Sequence, residues 1–171
     1  MLDRDLQYPI GTFEAPEEIT RDHILAWIER IRTLPQRLAA ATASLPSGKL
    51  EAPYRSGGWT RREVLHHVAD SHMNSLVRFK WALTEQTPTI KAYDEAAWAK
   101  LSDYRDVPVD TSLRFLAALH ERWVPLLESL TTEHLSRTFV HPESGDTIGL
   151  AENIGIYAWH GDHHLAHVLL P

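Results

Sequence analysis

The sequence predicts an all-α protein: a four-helix bundle with an extended N-terminal arm and long connecting loops. Three observations carry that prediction. Four long stretches space their apolar side chains at helical intervals. No stretch shows the convincing alternation of a half-buried strand. The segments between are rich in Pro, Gly and Ser, residues that interrupt helices and favour turns. An antiparallel-type bundle buries four such faces around one core, and 171 residues suffice for one domain spanning 1–171.

The first element is the arm, Leu6 to Pro16, expected to be extended because Pro9, Gly11 and Pro16 interrupt any helix; such arms often pack on their own domain or on a partner subunit. The spacing of Ile24, Trp27, Ile28, Ile31, Leu34 and Leu38 predicts a helix from about Glu17 to Leu45, with a kink or restart at Pro35. Pro46 to Gly58 is a loop. Thr60 with Glu63 forms a capping box that starts a helix running to Leu83. Its apolar side is Leu65, Val68, Ala69, Met73, Leu76 and Phe79; Glu63, His67, Asp70, Asn74 and Arg78 form a polar stripe. Gln86 to Val109 holds one short helix near Asp94–Leu101 and is long enough to cover something. Asp110 or Thr111 caps the third long helix, which runs to Leu130 with a bend at Pro125. Thr131 to Gly149 is turn-rich, clearest at Pro142–Asp146, and Leu150 to Leu170 is the last helix.

Composition narrows the function. A net charge of −6 without a Lys/Arg cluster argues against nucleic acid. No apolar run is long enough to span a bilayer, and Met1–Asp5 lacks the basic start of a secretory signal, so no membrane partner and a cytoplasmic location are expected. With no cysteine, disulfides, thiolate ligands and a cysteine nucleophile are excluded. Any metal must therefore be held by His, Asp, Glu or water.

The last helix carries the chemistry. Four of the 11 histidines, His160, His163, His164 and His167, lie within eight residues. At about 100° per residue they share an arc of roughly 100°. His160 and His164 are one turn apart and can converge on one ion, as a Zn²⁺ site requires; His163 and His167 have the same spacing, so sequence leaves the pair open. Two ligands hold a metal poorly. A third can come from His66 or His67 on the second helix, His120 on the third, or the scattered His23, His72, His134 and His141. Only His67 is centred in a polar stripe, which on periodicity alone would face solvent. Two familiar motifs fail. A zincin helix needs Glu after the first His, where this chain has Gly161, and Asp162 points to the opposite side. A di-iron bundle needs two Glu-x-x-His pairs, and only Glu63–His66 is present. A mononuclear site remains.

Several blocks together resemble one family: Asp5–Gly11, Gly57-Gly58-Trp59-Thr60, Glu63–Ser75, His120–Trp123, Glu152–Gly155, Tyr157–Gly161 and His163–His167. The chain resembles the DinB-like metalloenzymes, in particular the YfiT-like metal-dependent hydrolase group, related to the bacillithiol S-transferases. The family's His, eight residues after the Trp, falls on His67; its His-x-x-x-His falls on His160 and His164. The resemblance implies a DinB-type four-helix bundle, one divalent ion per chain on His67, His160 and His164, a cavity in front of His67, and a homodimer.

Three neutral imidazoles would leave the ion a Lewis acid with an open position for water or substrate. The expected activity is metal-dependent hydrolysis of a small-molecule substrate, with Zn²⁺ or Ni²⁺ as the ion. The alternatives are S-transfer from a low-molecular-weight thiol cosubstrate, or a non-catalytic bundle that uses the ion for stability or buffers metal. Asp70 is the candidate relay or ligand-orienting acceptor. Asn74, Arg78, Asn153 and Tyr157 are candidates for contacting substrate. His66, His72 and His120 read as structural, His163 and His167 as supports of the ligands or surface, and the six Trp as core. Metal affinity is expected to fall as pH drops through about 6.

Overall fold

The computed structural model describes residues 6–171; the reading of Met1–Asp5, and Asp5 in the first family block, lie outside the described residues. Four long helices form the body: α1 (Arg21–Ala43), α2 (Arg61–Thr84), α5 (Val109–Glu128) and α7 (Leu150–Leu169). Short elements join them: a 3₁₀ turn (Lys49–Glu51), α3 (Glu95–Trp98), α4 (Ser102–Asp106), α6 (Thr132–Leu135), and strands β1 (Thr138–Val140) and β2 (Thr147–Gly149).

Two of the four long helices start at a side-chain cap. Thr20 accepts from His23 N and opens α1, and the Thr60/Glu63 box opens α2 as the sequence predicts. For α5 the expected cap is corrected: the N-cap is Pro108, without a side-chain bond, and Asp110 instead pairs with Arg114. Proline pre-sets the chain for helix entry and has no N–H to satisfy. Helix α1 runs through Pro35 with no restart, and α5 through Pro125. One short helix was expected before α5 and two form. A β-hairpin also forms where only turns were expected, around the Pro142–Asp146 turn; three residues per strand are too few to show a period.

Packing decides the site. Helix α1 lies against α5 and α7, and α2 lies against the same two, so the ring order is α1–α5–α2–α7. Helices α2 and α7 run antiparallel, pinned at both ends. Buried Arg61, at the start of α2, donates to the carbonyls of Val168 and Leu170 at the end of α7. Arg137, whose carbonyl accepts from Leu150 N at the start of α7, donates to Ala82 O at the end of α2. Between these pins Asn153 meets Ser75, and His160 meets His67. Helix α7 closes on α1 at two glycines. A Cβ on Gly155 would meet Phe13 and Trp27, and one on Gly161 would overlap Leu34. Asp162, on the outer side, accepts from Arg30 at 2.6 Å and Arg37 at 2.7 Å, both on α1.

The N-terminal arm packs on its own chain. Trp159 Nε1 donates to Gly11 O at 3.2 Å, and Gln7 O faces His167. The Gln86–Val109 segment folds over the α2–α7 interface, bringing Tyr93 and Glu95 to a cavity there. Among the described residues no helix is long and apolar enough to cross a membrane.

Candidate metal centre

His67, on the second turn of α2, faces α7 at the level of His160 and His164. Its Nε2 is 3.2 Å from His160 Nε2, and one ring nitrogen from each of the three histidines lies within 4.8 Å of the others. Tetrahedral ligands at about 2.05 Å from Zn²⁺ stand about 3.3 Å apart, so the His67–His160 separation suits two ligands of one ion. Of the stripe holding His67, His67 itself is buried, at 7% exposed, and Glu63, Asp70, Asn74 and Arg78 are half-buried. His67 therefore does not face bulk solvent.

A second group, His163, His164 and His167, also comes within 4.8 Å and shares His164 with the first. Two further histidines extend the cluster inward. His160 Nδ1 is 3.4 Å from His72 Nε2, His72 Nδ1 is 2.9 Å from His120 Nε2, and His120 Nδ1 is 2.7 Å from the carbonyl oxygen of Ile31. Trp123 packs edge-on against His72 and His120. His72 and His120, read as structural, are buried and hydrogen-bonded in a chain that leads to His160. The sequence held a signal: each is a polar residue inside an apolar stripe, His72 among Leu65, Ala69 and Leu76, His120 among Leu116, Trp123 and Leu127. A buried imidazole there needs a hydrogen-bond partner.

Burial keeps the cluster neutral. Desolvation, with His163 nearby, pushes the His67 imidazole down to about 4. Desolvation also takes His120 to about 4 against the raising effect of its bond to Ile31, and takes His163, beside His167, to about 4. His72, His160 and His164 are held well below the usual range, mainly by desolvation and then by neighbouring imidazoles. Neutral imidazole is the metal-binding form. Proton competition therefore begins below the pH of about 6 that unperturbed histidines suggest.

The cluster floors a cavity of about 570 Å³ between the arm, α2, the α3 segment, the hairpin and α7. Of the proposed substrate contacts, Arg78 and Tyr157 line it; Arg78 Nη1 is 3.5 Å from the Tyr157 hydroxyl, and its Nε is buried without a partner. Asn153 is 2% exposed and donates to Ser75 instead. Asn74 donates to Asp70 O. Asp70 faces away from the cluster and accepts the Tyr104 hydroxyl at 2.7 Å. None of these three reaches the cavity wall, because each is engaged along α2 or across a helix interface. His66 bonds Ser112 on α5. Of the six tryptophans read as core, Trp98 and Trp159 lie outside it; Trp59, packed on the core, meets His67 edge-on at 4.8 Å, Trp159 stacks on His163 at 4.6 Å, and Trp59 and Trp159 line the cavity.

Residues 30–168, which include every histidine of both groups and of the inward chain, match the DinB superfamily. The chain belongs to the DinB superfamily. It is 56% identical over 164 residues to a protein of Bacillus cereus (strain 03BB102) named "Putative metal-dependent hydrolase", covering 96% of this chain and 94% of that one. A Bacillus anthracis (strain CDC 684 / NRRL 3495) protein with the same name is 55% identical over the same shares. The solved structure of YfiT from Bacillus subtilis, described as a probable metal-dependent hydrolase with an unusual four-helix bundle topology, aligns at a TM-score of 0.93. That match has 44% identity and covers 96% of this chain and 94% of YfiT. The DinB four-helix bundle expected from the sequence is thus the fold of this chain.

Proposed function

We propose that this DinB member is a metal-dependent hydrolase with one divalent ion on His67, His160 and His164, acting on a small anionic substrate. The observation that carries this reading is the convergence of three neutral imidazoles at the floor of an open cavity. An all-imidazole donor set fits Zn²⁺ or Ni²⁺. Such an ion supplies a Lewis acid that polarises a substrate oxygen and acidifies a water.

The chain's own residues would bind and orient. Arg78 pairs with no carboxylate among the described residues and carries an unpartnered Nε beside Tyr157. A half-buried guanidinium without a counter-ion suits a carboxylate or phosphate group on the substrate. Trp59 and Trp159 wall the site. The rival for the same cavity is S-transfer from a low-molecular-weight thiol, which must come as a cosubstrate because the chain has no cysteine.

The test begins with elemental analysis of untagged protein, parent and His67→Ala. About one equivalent of metal in the parent and far less in the variant supports the site. Metal-loaded protein is then assayed on carboxylic and phosphate esters, with and without added thiols. Turnover without thiol favours hydrolysis, and turnover only with thiol favours transfer. Metal binding with no turnover on either panel favours the non-catalytic bundle.

A further inference from the structure

A neutral imidazole carries one proton, so one nitrogen donates and the other accepts. Two backbone carbonyls decide which is which for five of these histidines, because a carbonyl oxygen can only accept. The first is Ile31 O. Within α1 its usual partner would be the N–H four residues on, but that residue is Pro35, which has none. The freed oxygen takes the Nδ1–H of His120 at 2.7 Å. His120 Nε2 is then bare and accepts from His72 Nδ1 at 2.9 Å. His72 Nε2 is bare in turn and accepts from His160 Nδ1 at 3.4 Å.

The second carbonyl is Gln7 O on the N-terminal arm. His167 Nε2 lies 3.1 Å from it and must donate. His167 Nδ1 is therefore bare and accepts from His164 Nδ1 at 3.3 Å. Both chains end the same way. His160 and His164 each carry their proton on Nδ1 and turn a bare Nε2 to the site.

We infer that Ile31 O, through His120 and His72, and Gln7 O, through His167, are devices that fix the tautomers of His160 and His164 and so choose between the two histidine groups. The His67, His160, His164 group receives two unprotonated Nε2 atoms before any ion arrives: that of His164, and that of His160, which accepts from His67 Nε2 at 3.2 Å until an ion replaces that bond. The His163, His164, His167 group receives none from His167, whose lone pair is taken by the His164 N–H. His72, His120 and His167 are thus positioning residues, and Pro35 belongs to the device by omission of its N–H. The consequence for metal affinity rests on the site proposed above; the tautomer assignment does not.

The test is ¹⁵N imidazole spectroscopy on histidine-labelled apoprotein in EDTA at neutral pH. His120, His160 and His164 should show protonated Nδ1 and bare Nε2, and His167 the reverse. Either His160 or His164 with a protonated Nε2 would overturn the inference. His120→Leu should lose the single Nδ1–H state of His160 and weaken Zn²⁺ binding, by titration calorimetry, about 10–100-fold. His120→Gln should restore both, since its amide can donate to Ile31 and its oxygen accept from His72. Equal affinity in His120→Leu and parent, or loss in both variants alike, would count against positioning. If the parent shows the expected tautomers but binds no Zn²⁺, the metal-site reading fails while the tautomer assignment stands.

Discussion

His67 Nε2 of α2 lies 3.2 Å from His160 Nε2 of α7, so the two helices meet through the nitrogens proposed to hold the ion. Added Zn²⁺ should therefore stabilise the fold as well as occupy it. Metal at 100 times its dissociation constant adds about 2.7 kcal/mol, read as a rise in melting temperature over the EDTA-treated protein. His67→Ala should abolish that rise. A full rise in the variant would place the ion elsewhere.

Gly161 faces Leu34, and any Cβ at 161 would overlap that side chain. Gly161→Ala should cost about 1–3 kcal/mol of stability by forcing α1 and α7 apart, measured by urea denaturation of the apoprotein. An unchanged midpoint would mean Leu34 can rotate away without cost.

Burial pushes His120 down to about 4, partly offset by its bond to Ile31, whereas an unfolded histidine titrates near 6.5. Between about pH 6.5 and pH 4 the unfolded chain binds a proton here that the native protein does not. The apoprotein must then lose stability as pH falls through that window, by up to about 1.4 kcal/mol per pH unit from this residue. Denaturation in EDTA at about pH 7 and about pH 5 should show a steeper loss for the parent than for His120→Gln. Equal slopes would show that His120 titrates alike in both states.

Arg78 carries the proposed contact with an anionic substrate group. Arg78→Met should retain metal stoichiometry yet weaken inhibition by inorganic phosphate or small carboxylates about tenfold or more, the scale of a charge-assisted hydrogen bond of about 1.5–3 kcal/mol. Inhibition unchanged in Arg78→Met would remove Arg78 from substrate recognition.

The sequence by itself determined the long helices, the Thr60/Glu63 cap of α2, the imidazole stripe on α7 and the outward side of Asp162. Each depends on periodicity or on contacts within one helical turn, which a linear chain displays. The resemblance added His67 as partner of His160 and His164, and the structure brings the three together. Only the tertiary structure decided that His67 and Arg78 of the polar stripe on α2 line a cavity, since helical period cannot say which faces find neighbours. It also turned Asn153 and Asp70 away from that cavity, toward Ser75 and Tyr104, and joined His72 and His120 to His160. Those links cross α1, α2, α5 and α7. Their partners are set by how the helices stack and by a carbonyl that Pro35 leaves free, and residues far apart in sequence meet only when the helices pack.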